Sequence, residues 1–299
     1  MATKLSRSCG AMITYHKQFE EFDQFRKVQL NLEHKLRSRS FESRKARSKP
    51  YKIQVVIHCV YRLKREKISE AQISRQIKSL NDDFRGRNPD KSRVPTVWKG
   101  MVADSMIEFE LATKTPLGAP SNGVTWNKTK KTAFSQYDED VKQASLGGAD
   151  PWPTDKYLNI WVCNIAGLLG YAQFPGGTKM TDGVVINYAA FGAGGTAKAP
   201  FNLGRTATHE VGHFLNVFHI WGDVLQCGGS DNVDDTPRQE GPNYDVPAYP
   251  HVSCGNGPNG DMFMNYMDYV DDKAMVMFTP QQVERMHAAL EGPRCQLIK

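Results

Sequence analysis

The sequence predicts an α/β (α+β) fold: a twisted mixed sheet with one backing helix and a second, histidine-bearing helix, followed by an irregular C-terminal part. Three observations predict it. Four short runs rich in Val and Ile recur between residues 51 and 188, at lengths that suit strands. One capped helical stretch lies among them, and a histidine-bearing one follows them. From Gly222 to Asp261 there is little sign of regular structure, and a loop of that length inside a compact domain normally needs staples.

The elements follow in order. Residues 1–49 stand apart: a polar lead, a helical stretch from about Thr14 to Lys35 with Phe19, Phe22 and Phe25 at three-residue spacing, then the Arg/Ser/Lys-rich run Arg37 to Lys49, which reads as an exposed linker. Tyr51 to Leu63 alternates and is a strand. Ser69, with Gln72 three residues on, opens a helix to about Phe84. Met106 to Leu111, Tyr157 to Ile165 and Gly183 to Tyr188 are further strands. Leu168 to Phe174 is another, ended by Pro175 and so suited to a sheet edge. A helix starts near Thr206, and Thr279 to Leu290 closes the chain as a helix. No internal repeat is visible.

The 299 residues can bury a substantial core. No apolar run reaches the roughly 18 residues of a membrane span, since even Tyr157 to Ala172 carries Asn159 and Asn164. The N-terminus shows no signal-peptide apolar core, so the expectation is that any export leader has been trimmed or never existed. The net charge is +6, but residues 1–50 hold 12 Lys+Arg against 5 Asp+Glu, which leaves 26 basic and 27 acidic residues beyond. The basic excess is thus an N-terminal property, and it argues against a nucleic-acid surface on the main body. Residues 231–272 are the reverse, with nine Asp+Glu against one Arg238, and so much negative charge needs a cation or water. Six cysteines are too few for a disulfide scaffold. Cys227 and Cys254 flank the acidic loop and are the expected bridge; Cys59 and Cys163 lie in strands and read as buried free thiols; Cys295 has no evident partner.

Residues 209–219 read HEVGHFLNVFH. On a helix His209 and His213 share a face, where two imidazoles can hold one Zn²⁺. His219 lies about 240° round the helix from His213, so it reaches the same metal only if the chain turns sharply first. Asn216 suits that turn, because after Gly it is among the residues that most readily enter the left-handed conformation. Three histidines leave a fourth metal position open, the layout of a catalytic site. Glu210, beside a ligand, can take a proton from an attacking water and pass it to a leaving nitrogen, which makes peptide hydrolysis the leading reading.

HEVGHFLNVFH resembles the long zinc signature of the metzincin metalloproteases. Asn265-Tyr266-Met267-Asp268-Tyr269 is similar to the methionine turn of the pappalysin family, and His219-Ile-Trp-Gly-Asp, Asp235-Thr236-Pro237, Leu169-Gly-Tyr-Ala-Gln-Phe-Pro and Met277-Phe-Thr match the same family. The resemblance covers about residues 50–292 and is nearest to the family's small microbial members. It departs at two points: the signature usually has Gly where this chain has Asn216, and a second disulfide is missing because Asp272-Lys273-Ala274 lacks its Cys.

The resemblance implies a metzincin-like zincin with an active-site helix, divided into a pro-segment 1–49 and a catalytic domain 50–299, itself made of subdomains 50–219 and 220–299. It implies one catalytic zinc on His209, His213 and His219, with Met267 beneath it and Tyr269 stabilising the oxyanion. Asp272 would sit at the base of the pocket for the residue after the cut bond, which points to cleavage before Arg or Lys. Asp231, the Val233 carbonyl and Thr236 would hold one or two structural Ca²⁺, as hard oxygen donors do. The edge strand around Tyr171 and Gln173 would bind extended peptide by strand addition. Arg7-Ser8-Cys9-Gly10 resembles a cysteine switch, in which Cys9 fills the open zinc position in a latent form, the pro-segment acting as intramolecular inhibitor until autolysis at Ala46/Arg47. The expectation is a secreted, calcium-dependent zinc endopeptidase acting on proteins or peptides. The alternative is a weak or inactive metal-stabilised binding protein of the same fold.

Overall fold

The computed structural model describes residues 6–38 and 48–298, which leaves the expected cut at Ala46/Arg47 outside the described residues. Its centre is β1 (Tyr51–Tyr61), the longest strand. β1 pairs in parallel with β2 (Ile107–Leu111) along its first half and with β3 (Val124–Lys128) along its second, while β4 (Leu158–Cys163) pairs with its other edge. β6 (Val184–Asn187) follows β4 in parallel, and β5 (Gly170–Ala172) closes the sheet antiparallel to β6. The order is β2-β1-β4-β6-β5, with β3 beside β1. β5 is therefore an edge strand, as Pro175 just beyond it predicts. β1 and β4 are buried on both faces, which is why they read as near-continuous apolar runs.

Two helices cover one face. α3 (Glu70–Phe84) starts where Ser69 accepts from the Gln72 amide, and Ile73, Leu80 and Phe84 join Ile53, Val55 and Ile57 in the main core. The Gln72 side chain does not complete a capping box; it bonds Phe191 O and Thr196 instead. α4 (Arg205–Phe214) lies beside α3 and is buried at every residue. The opposite face of the sheet carries a smaller core of Val60, Trp161, Tyr171 and Val185, covered by Phe134 and Val141.

Three local expectations are corrected. The single helix from Thr14 to Lys35 is two, α1 (Ala11–Glu21) and α2 (Asp23–Ser38), broken at an extended Phe22. Three-residue spacing drifts about 60° per step round a helix. Phe25 is buried but Phe22 is exposed, so the aromatics do not form one stripe. β3 has no counterpart in the predicted elements, because VTWNK is only half-buried and shows weak apolar alternation. The strands are also shorter than predicted by one or two residues at most ends.

Beyond α4 the chain has no helix or strand until α5 (Pro280–Leu290), which Thr279 opens with a full capping box. Cys227 and Cys254 are disulfide-bonded across this stretch, and Cys9, Cys59, Cys163 and Cys295 are free, Cys59 and Cys163 buried. No helix among the described residues is long and apolar enough to cross a membrane.

Candidate active site

α4 has no side-chain cap of its own. It starts after Gly204, at φ 86°, and the Asp272 carboxylate accepts from Leu203 N at 2.7 Å and Arg205 N at 3.4 Å, meeting the positive end of the helix. The helix ends at Phe214, and Asn216 sits at φ 72° in the left-handed region. That turn brings His219 back, so that the Nε2 atoms of His209, His213 and His219 stand 3.0 to 3.2 Å apart. The Asn216 amide is buried with no hydrogen-bond partner among the described residues, and its carbonyl accepts from Arg285 Nε at 2.8 Å.

The outer nitrogens are all held. His209 Nδ1 donates to Tyr266 O, His213 Nδ1 to Val217 O and His219 Nδ1 to Asp223, at 2.7 to 2.8 Å. With the protons outside, three lone pairs converge on one point, an arrangement that makes sense around a cation. Tetrahedral ligands about 2.05 Å from zinc would be about 3.3 Å apart, so the residues present fit the metal. Burial, with the neighbouring imidazoles, holds His209 and His213 well below the usual histidine range, and keeps them neutral as ligands must be.

Two glycines make room. A Cβ on Gly212 would lie 2.6 Å from Met267 Sδ, so the methionine packs directly against α4 between the histidine turns. A Cβ on Gly170 would lie 2.9 Å from Glu210, and the glutamate fits only because β5 has none there. Glu210 is buried, and burial pushes its carboxyl up to about 8. Cys9 Sγ is 3.3 Å from Glu210 Oε2, and the thiol and three histidines have ligand atoms within 4.8 Å of one another. The N-terminal chain reaches this point by strand addition: Gly10 N donates to Gly170 O and Leu169 N to Ser8 O, both at 3.0 Å.

Beside the metal site Arg7 is buried. Its guanidinium donates to Asp272 Oδ1 at 2.7 Å, to Thr206 Oγ1 and to Val270 O. The ring of Tyr269 lies 5.0 Å from His219 and 4.7 Å from Trp221, and its hydroxyl meets the Cys9 main chain. The motif quoted around Cys9 included Arg7, yet nothing in the sequence joins it to Asp272, 265 residues away.

The model of the Peptidase_M43 family, described as pregnancy-associated plasma protein-A, matches residues 136–291, more than half of the chain. The chain belongs to the pappalysin family. It is a metalloendopeptidase with a mixed sheet of metzincin type, and the family implies a catalytic zinc. Promirolysin of Tannerella forsythia, solved as a mutant, is 42% identical, with a TM-score of 0.88 over 98% of this chain and 97% of that one. Mature mirolysin of the same organism, in complex with a cleaved peptide, is 46% identical, with a TM-score of 0.83 over 84% of this chain and 97% of that one. An extracellular metalloprotease of Colletotrichum graminicola is 33% identical over 205 residues, 64% of this chain and 70% of that protein.

Elsewhere in the pappalysin, Asp231 and Thr236 come together: the threonine hydroxyl lies 2.9 to 3.0 Å from both carboxylate oxygens. Burial pushes the Asp231 carboxyl up to about 7. Val233 is in the same turn and buried. Tyr171 and Gln173 do not face the cleft with open side chains. Tyr171 points into the smaller core and contacts Glu139, and Gln173 is fully buried against Gln18, Thr178 and Thr181. What β5 offers at its edge is main chain.

The sequence reading missed Arg7, Gly170, Gly212, Asp223 and the Tyr266 carbonyl. It missed Arg205 as well, whose guanidinium joins α4 to Asp83, Asp90 and Tyr266. All but Arg205 lie within motifs the sequence displays, and what it hides is the partner each one meets; Asp223, four residues after His219, is near its partner in sequence as well.

Proposed function

We propose that this pappalysin is a secreted zymogen whose mature form cuts peptide bonds before Arg, or Lys, with Glu210 as general base. The observation that carries the specificity is the Arg7–Asp272 pair: a guanidinium of the chain itself fills the pocket beside the metal site, two residues before the thiol at the zinc position. A buried carboxylate holding one arginine is suited to hold another from a substrate.

His209, His213 and His219 would hold the zinc, which when bound supplies Lewis acidity that polarises a carbonyl and lowers the pKa of water. The remaining steps belong to side chains. The β5 edge binds the peptide main chain at Gly170, and Asp272 fixes the residue after the cut. Glu210 takes a proton from the attacking water and gives it to the leaving nitrogen. The Tyr269 hydroxyl donates to the developing oxyanion. Glu210 and Tyr269 both stand at the histidine cluster, which favours a working enzyme over an inactive binding protein of the same fold.

Residues 1–49 are read as the pro-segment. Cys9 lies beside Glu210 and the histidines, and Ser8 to Gly10 use the β5 edge that a substrate would need. The share of this chain covered falls from 98% for promirolysin to 84% for mature mirolysin, in keeping with removal of such a segment. Self-cleavage at Ala46/Arg47 would suit an enzyme that cuts before Arg. The naming of relatives as extracellular metalloproteases supports secretion.

A peptide library treated with the mature form tests this reading. Cuts before Arg or Lys are expected, and they stop when a zinc chelator is added; cutting that survives complete zinc removal sinks the metalloprotease mechanism.

The Asp231 to Thr236 turn is read as a calcium site, since burial pushes the Asp231 carboxyl up even though the Thr236 hydroxyl, the Arg285 guanidinium and main-chain amides all favour its charged form. Calcium at 100 times its Kd would stabilise by about 2.7 kcal/mol, a rise in Tm of roughly 5–10 °C for a domain of this size. Thermal denaturation with and without a calcium-selective chelator measures it. An unchanged Tm would remove calcium from the account.

A further inference from the structure

Beyond the contacts of Arg7 and Cys9, the N-terminal helices dock by a second set of contacts. Arg285 on α5 is buried at 1% exposure, and its guanidinium reaches Asn216 O, Asn232 O and the Glu33 carboxylate of α2. Among the described residues, Glu33 is the acid that pairs with it. Gln29 donates to Pro175 O at 2.6 Å, and Gln18 to Gln173 at 2.9 Å. The Pro175–Gly177 turn is shaped for this cover: a Cβ on Gly176 would lie 2.6 Å from Val28, and one on Gly177 2.7 Å from Gln18. Tyr15 packs edge-on against Phe25, Phe174 and Phe218, while Phe25 and Leu32 are buried.

In all of these contacts with the body, and in those of Arg7 and Cys9, the N-terminal partner precedes residues 39–47 and the other follows them. A cut there severs the chain but breaks none of them. We propose that the face formed by Arg285, Phe218, Phe174 and the Pro175–Gly177 turn is an interaction surface for α1 and α2, and that it retains the excised segment as a bound inhibitor after the linker is cut. Retention rests on the zymogen reading above. Activation is then two events, cleavage and release, and release is governed largely by the contacts of α1 and α2 rather than by Cys9 and Arg7. The Glu33–Arg285 pair is central: Arg285 is buried and Glu33 half-buried, so removing the carboxylate leaves the guanidinium to the charge of Asp231 and mainly speeds dissociation.

The test uses the full chain with residues 41–46 replaced by the recognition sequence of an added protease. After complete nicking, size-exclusion chromatography reads whether the N-terminal fragment co-elutes with the body, and a reporter peptide reads activity. In the wild-type background the fragment is expected to co-elute, with activity rising only on dilution. Glu33→Gln should release it at least about tenfold faster, while the uncut variant, its pro-segment still tethered, stays latent. Gln29→Ala, which leaves the charge pair in place, should act in the same direction and covers a folding defect in the first variant. Activity that rises in step with nicking in the wild type, or release from both variants at the wild-type rate, overturns the proposal. Co-elution is read without catalysis, so a body that shows no chelator-sensitive cutting would count against the enzyme mechanism and leave the docking result standing.

Discussion

Glu210→Gln lowers kcat/KM of the mature form by about 10³-fold or more, the upper part of the range for a positioned general base, with zinc content unchanged. The two halves of that expectation come from different contacts. Glu210 lies on α4 beside His209 but takes no part in the convergence of the three Nε2 atoms, whose outer nitrogens are fixed by Tyr266, Val217 and Asp223. Its own surroundings are the Gly170 main chain and, in the latent chain, the Cys9 thiol. In the latent chain burial pushes its carboxyl up to about 8. Glutamine keeps the shape and removes the basicity. Steady-state kinetics and metal analysis on the same sample decide it: a loss of less than about tenfold, or a parallel loss of zinc, would assign Glu210 a structural role.

Asp272→Asn should remove the preference for Arg after the cut bond. The comparison is between two peptides that differ only in Arg or citrulline at that position, equal in shape but unequal in charge. Wild type is expected to favour Arg by roughly 10²- to 10³-fold in kcat/KM, the scale of a buried charge left without its partner, and the variant to show little preference. Asparagine is chosen because Asp272 also accepts from Leu203 N and Arg205 N at the start of α4; its side-chain oxygen can keep those bonds, whereas alanine would strip them. The same substitution should loosen Arg7 in the latent chain, while self-cleavage at Ala46/Arg47, which needs the same carboxylate, should slow. If the Arg/citrulline ratio survives in Asp272→Asn, specificity lies elsewhere and the carboxylate serves only α4.

Much of the site was legible because its parts are local. His209 and His213 share a helix face by spacing alone, and Asn216 reads as a left-handed residue because few other side chains accept that backbone. Its φ of 72° is what brings His219 back. Ser69 and Thr279 mark helix starts through bonds made within three residues. The bridge between Cys227 and Cys254 was legible from their places at the two ends of the acidic loop. Where the reading failed, the cause lay at longer range. The break at Phe22 places Phe25 and Leu32 against surfaces that the N-terminal sequence does not contain. β3 is a strand because β1 offers it an edge, although VTWNK has little β pattern of its own. Tyr171 lies on the edge strand as expected, but the pleat turns its side chain to the far face of the sheet.

By itself, then, the sequence determined the order of elements, the three histidines with Glu210, and the turn at Asn216, all of which depend on residues within about one helix or turn of each other. Only the tertiary structure decided what meets that motif. It sets Gly212 against Met267, Gly170 against Glu210, Cys9 beside the histidine cluster, Arg7 on Asp272 and Glu33 on Arg285. The physical reason is that helical and turn preferences act over a few residues, whereas a buried charge or a missing Cβ finds its meaning only in the partner that folding brings to it.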